Sequence, residues 1–141
     1  MNNWRPEYER EKDRVNEQLV AEKISAVWGL TANKMPRMYH LDFVLQDSVK
    51  RLRGFAEIKA RNNKRDRYTT YMIGLSKVMA ARKLTEVTKL GCILVVKWED
   101  QIGWINFTDH ESFGLGGRTD RGDSQDIEPV AYFDITRFKG L

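Results

Sequence analysis

Two segments of this chain alternate polar and apolar residues with the two-residue period of a β-strand, and a polar turn region joins them. In residues 39–45, His40, Asp42 and Val44 fall on one face and Leu41, Phe43 and Leu45 on the other. In residues 55–60, Phe55, Glu57 and Lys59 share one face, and Ala56, Ile58 and Ala60 the opposite one. A hairpin centred near Val49 and Lys50 sets Asp42 opposite Glu57, and opposed residues project from the same face of a sheet. Two carboxylates and one ammonium then converge on one spot, which random spacing would not guarantee. The apolar opposite face has to be buried, so the polar face is expected to line a cleft or to lie beneath a helix.

Around this pair the sequence predicts a mixed α/β or α+β domain, in the order helix, two strands, helix, strands. Residues 6–28 read as one helix, with Pro6 in its first turn, Gly29 just past its end, and Val15, Leu19, Val20, Ile24, Val27 and Trp28 as its apolar face. Residues 1–14 are expected to form an N-terminal helical extension of the domain. A narrower stripe of Trp4, Tyr8, Val15 and Leu19 is expected to pack on the body of the domain, with a dimer seam as the alternative. Residues 31–37, with Pro36, read as a connector, residues 61–67 as a basic loop, and residues 68–75 as strand or helix. A second helix spans residues 76–90, with Met79, Ala80, Leu84, Val87 and Leu90 on one side and Gly91 as its stop. Residues 92–98, 102–107 and 130–135 read as strands. Residues 108–128, rich in Gly and Asp, read as a flexible loop and a candidate lid. No internal repeat appears, and 141 residues suit one domain.

The polar trio has the equipment for phosphodiester hydrolysis. That reaction needs an activated water, stabilisation of charge in the transition state and help for the leaving oxygen, and a divalent cation on two carboxylates supplies much of this. Asp42 and Glu57 are the candidate ligands, with the carbonyl of Ile58 as a third oxygen. Hard oxygen donors suit Mg²⁺, with Mn²⁺ as substitute. Lys59 is placed to orient the attacking water and to stabilise negative charge. One cysteine and two histidines cannot build a zinc site. The plainer alternative is an exposed strand face carrying a Glu57–Lys59 ion pair.

Asp42 followed by Glu57-Ile58-Lys59, in the order helix, Asp strand, Glu-x-Lys strand, helix, strand over about residues 15–98, resembles the PD-(D/E)XK nuclease superfamily. Within it the pattern is most similar to small Holliday junction resolvase-like and phage nucleases. The resemblance implies a restriction-endonuclease-like core, a central mixed sheet flanked by helices. It also implies a role for Glu17, which precedes Val20, Ala21, Ile24 and Gly29 as the first-helix glutamate does in such enzymes, and it points to Ser76 and Lys77 on the second helix. An N-cap serine and a solvated lysine are the competing readings of those two. The family's proline before the aspartate is absent, since Leu41 stands there.

Charge distribution points the same way. Residues 24–98 carry 15 basic and 5 acidic side chains, a net of +10, whereas residues 1–23 sum to −1 and residues 99–141 to −5. A phosphate polymer is the natural counterpart of such a segment. Arg61, Lys64, Arg65 and Arg67 are expected to hold the DNA backbone. Tyr68 and Tyr71 read as core tyrosines before base-stacking ones, and His40 as a surface or core histidine. A homodimer is expected, one protomer per strand. The composition predicts no secretory signal, no membrane span, no small-molecule cofactor and a cytoplasmic protein, in a host cell if virus-encoded. Two other classes compete with a Mg²⁺-dependent DNA endonuclease. One is a catalytically inactive nucleic-acid-binding module of the same fold, and the other is an assembly or regulatory factor for a protein partner.

Overall fold

The computed structural model describes residues 11–36, 41–109, 112–117 and 127–141. Helix α1 (Glu11–Trp28) leads into strands β1 (Thr31–Lys34), β2 (Phe43–Gln46) and β3 (Leu52–Ala60). After the basic loop come β4 (Thr70–Gly74), helix α2 (Leu75–Thr88), β5 (Gly91–Lys97) and β6 (Ile102–Asn106). Strands β7 (Ser112–Gly117), β8 (Ile127–Asp134) and β9 (Lys139–Gly140) complete the order.

The central sheet runs β1-β2-β3-β5-β6-β9, and a second sheet runs β4-β8-β7. Strands β3 and β5 pair in parallel, with the crossover through β4 and α2, and the other pairs of the central sheet are antiparallel. Such a mixed sheet buries both faces. On one face α1 covers Phe43, Leu45, Ala56, Ile58 and Val95 with Val20 and Ile24. The other face carries Phe55, Leu94, Val96 and Ile105, and it packs against Val78 and Ala81 of α2 and against Tyr71, Ala131 and Phe133 of the second sheet. Glu57 emerges on this second face, buried in the layer beneath α2. The expected helix-covered polar face is therefore met.

Several local expectations are corrected. Residues 31–34 form an edge strand, paired with β2 from Thr31↔Gln46 to Lys34↔Phe43, where a connector was expected. Residues 112–117 are strand β7 along β8, so this part of the expected loop is ordered sheet. Residues 1–10, and with them Pro6, Trp4 and Tyr8, lie outside the described residues, as do His40 and Asp120, Arg121, Gly122, Asp123 and Asp126 of the candidate lid. A bend at residues 41–42 turns Leu41 into the α2-side core, away from the face of Phe43 and Leu45. On α2 the buried residues are Val78 and Ala81, while Met79 and Val87 are exposed. The helix ends at Lys89, which takes the left-handed conformation at φ 63°, so Gly91 is free to begin β5.

Candidate active site

The hairpin brings the two carboxylate residues near each other. Phe43 pairs with Ala56, and Asp42 follows in a bend beyond the end of β2. The Asp42 amide donates to Glu57 Oε2 at 3.2 Å. The turn is built by Asp47, whose side chain accepts from the amides of Val49 and Arg51. Lys50 there adopts φ 65°. A bulge between Leu45 and Gln46 absorbs the turn without shifting the Asp42 end.

Glu57 is the one charged residue that is fully buried among the described residues. Lys59 Nζ lies 3.4 Å and Lys77 Nζ 3.3 Å from its Oε1. Both contacts are charge pairs, and among the described residues Oε1 has no partner in full hydrogen-bond geometry. Burial pushes the Glu57 carboxyl up from its ordinary 4.5, the ammonium groups of Lys59 and Lys77 oppose that, and the neighbouring Asp42 charge adds to it. A buried carboxylate held at that balance invites one more positive partner.

The other sequence candidates divide. Lys77 reaches Glu57 from the first turn of α2, so the reading of a solvated lysine fails. Ser76 is exposed and is not the helix cap, a position taken by Gly74. Glu17 pairs with Lys34 at 3.0 Å, and next to Lys34 the Met35 amide donates to the Asp42 carbonyl. The side chain of Ile58 belongs to the α1-side core, so only its main chain is available to the site. Arg61, Lys64 and Arg67 are exposed beyond the end of β3. Arg65 instead braces the loop, since its Nη2 donates to the carbonyls of Ile135 and Phe138 at 2.9 and 2.8 Å.

Sequence reading missed Tyr71 as a neighbour of the site. Its ring is core, as expected, but its buried hydroxyl has no hydrogen-bond partner among the described residues. Burial pushes this phenol up to about 12, against the nearby Arg61 guanidinium and with the Glu57 charge. Nothing in the sequence flags it, because residues 68–75 fit strand and helix equally.

Among the described residues, no three Asp, Glu, His or Cys side chains gather to enclose a metal. Two hard carboxylates, one with an oxygen lacking a partner in full hydrogen-bond geometry, fit a cation that keeps several of its own waters.

A family model described as "Phage putative PDDEXK endonuclease" matches residues 3–141. The chain belongs to this endonuclease family. Among solved structures it is similar to the Holliday junction resolvase Hjc of the archaeal hyperthermophile Archaeoglobus fulgidus. The match covers 90% of this chain and 92% of that one, at 12% identity and a TM-score of 0.57. At that identity the likeness is one of fold, and it gives this endonuclease-family chain the restriction-endonuclease-like architecture expected from its sequence. No curated protein matches. Membership makes the chain a nuclease of a superfamily that works with divalent metals. Among the described residues, no helix is long and apolar enough to cross a membrane.

Proposed function

We propose that this chain is a Mg²⁺-dependent endodeoxyribonuclease whose reaction centre is Asp42, Glu57 and Lys59, with Mn²⁺ as a substitute ion. The observation that carries the reading is the fully buried Glu57, which accepts from the Asp42 amide and has one oxygen without a partner in full hydrogen-bond geometry among the described residues. Asp42, Glu57 and the Ile58 carbonyl would hold the ion, which when bound supplies Lewis acidity and acidifies its water. Lys59 extends from the buried carboxylate toward solvent, where its ammonium orients the attacking water and offsets charge on the phosphoryl oxygens. Lys77 shares the Glu57 oxygen and offsets the same charge from α2. Glu17 supports the site through Lys34, beside the Asp42 backbone. Ser76, Arg61, Lys64 and Arg67 contact the phosphates around it, while Arg65 acts by fixing the loop.

One observation favours the inactive binding module: two ammonium groups already flank Glu57, and no third carboxylate joins the pair among the described residues. The deciding experiment is cleavage of labelled single-stranded, duplex, flap and four-way-junction DNA with Mg²⁺, Mn²⁺ or EDTA. Metal-dependent cutting that falls at least about 100-fold in Lys59→Ala and in Asp42→Ala is expected. The Asp42 variant should keep its melting temperature, because the bond to Glu57 uses its amide. Cutting retained in either variant would refute the site. Binding without cutting would establish the inactive module.

A further inference from the structure

Beyond Lys59 the strand leads directly into a cleft of ≈ 310 Å³, lined among others by Arg61, Tyr68, Tyr71, Met72 and Trp98. Two guanidinium–ring pairs stand in its lining, Arg61 over the Tyr71 ring at 4.9 Å and Arg65 over Trp98 at 5.9 Å, and Arg67 lies over the lining residue Tyr68 at 5.6 Å. The floor is rigid. Trp98 and Tyr71 are buried and meet edge to face, and Arg65 ties the loop to Ile135, Phe138 and Gln101. The rim is open: Tyr68 is 60% and Met72 40% exposed. Tyr71, which lines the cleft and is only 5% exposed, carries a buried hydroxyl with no hydrogen-bond partner among the described residues. A buried hydroxyl of this kind costs stability unless something hydrogen-bonds to it.

We propose that this cleft receives a single unpaired nucleobase of the DNA strand whose phosphate lies at Lys59. The inference rests on the nuclease reading for the direction of the strand, and adds the class of substrate. Flat guanidinium and aromatic surfaces stack any base without reading its sequence. A base has edge donors and acceptors for the Tyr71 hydroxyl, which a lipid tail or an aliphatic side chain lacks. A base in a duplex has its faces covered by its stacked neighbours, so only an unstacked or extruded base can lay a face on these side chains. The cleft adjoins the reaction centre, since Arg61, which lines it, stands two residues beyond Lys59. Substrates with an unpaired nucleotide beside the scissile phosphate, such as branch points, gaps and flaps, are therefore preferred over continuous duplex.

The test uses full-length Lys59→Ala protein in EDTA, so that no DNA is cut, and 2-aminopurine at one position of a duplex, either paired or unpaired. A fluorescence drop on binding is expected only for the unpaired probe, with a Kd at least about fivefold lower than for the paired one. Adding Tyr68→Ala, an exposed position, should abolish the drop and the preference while leaving the melting temperature unchanged. Adding Tyr71→Phe should keep the drop but raise the Kd for the unpaired probe roughly two- to tenfold. Equal binding of both probes, a preference that survives Tyr68→Ala, or no binding at low salt would each overturn the cleft. Cleavage by wild type is read separately. Cutting without a base signal leaves the nuclease and removes the cleft, and a base signal without cutting does the reverse.

Discussion

At the scale of the residue, the unusual object is Glu57. Burial outweighs two neighbouring ammonium groups, so its carboxyl is raised above its ordinary 4.5. The folded state then binds the proton more tightly than the unfolded one, and stability falls as pH rises from about 4.5 through the raised folded value. Glu57→Gln removes that dependence. The variant should melt higher than wild type at pH 8, and the gap should close by pH 4, as measured by thermal unfolding in EDTA. Adding Mg²⁺ should raise the wild-type melting temperature at pH 8 and leave the Gln variant unmoved. A wild type that gains stability from pH 4 to 8 relative to the variant would contradict the direction of the shift. The nearness of Asp42 to Glu57 was legible in the sequence, because the polar turn and the pairing of β2 with β3 fix which ends of the hairpin meet, although the bend at residues 41–42 breaks the alternation expected there. Tyr71 and Lys34 were not, because their relation to the site depends on a second sheet and an edge strand that carry no pattern of their own.

At the scale of the element, the sheet depends on one close approach. Strands β3 and β5 run in parallel with Gly54 opposite Gly91, and a Cβ on Gly54 would meet the Gly91 carbonyl oxygen at 2.9 Å. Backbone cannot move aside as a side chain can. Gly54→Ala should cost about 1–3 kcal/mol, read from urea unfolding, and should lower cleavage as well because Glu57 sits three residues along the same strand. An unchanged unfolding midpoint would mean that the two strands part there without loss. The limits of legibility are also clearest in particular elements. Thr31-Ala32-Asn33-Lys34 has one half-buried residue and no alternation, so nothing marks it as β1. The glycines of β7 read as loop because their partner β8 supplies the bulk: Gly114 packs beneath Tyr132, and Gly116 beneath Met72 and Val130. In α2 Met79 and Val87 misled, while Leu84, and Leu90 just past the helix, do pack against the core, which α2 meets through Val78 and small Ala81, whose carbonyl accepts from Cys92 Sγ at 3.4 Å.

At the scale of the whole molecule, charge and shape act together. The segment with net charge +10 runs from the last turns of α1 to the end of β5 and includes Asp42, Glu57 and Lys59, while the acidic 99–141 segment supplies β6 to β9. A segment of that charge attracts a polyanion. A single centre of this kind breaks one strand at a time, and cutting both strands at once calls for a symmetric pair. Helix α1 leaves Val15, Leu19 and Val27 about half exposed. We expect light scattering to give twice the chain mass of 16.5 kDa. A mass of one chain at micromolar concentration would leave the protein a nicking enzyme.

The contact of Arg65 with Ile135 and Phe138 spans 70 and 73 positions of the chain. During translation the basic loop emerges first and has no anchor until those later residues leave the ribosome. The wall of the cleft at Trp98 and the seat of Arg65 therefore close only near the end of synthesis. A nascent chain thus carries the hairpin of Asp42 and Glu57 before the basic loop beside it can be fixed.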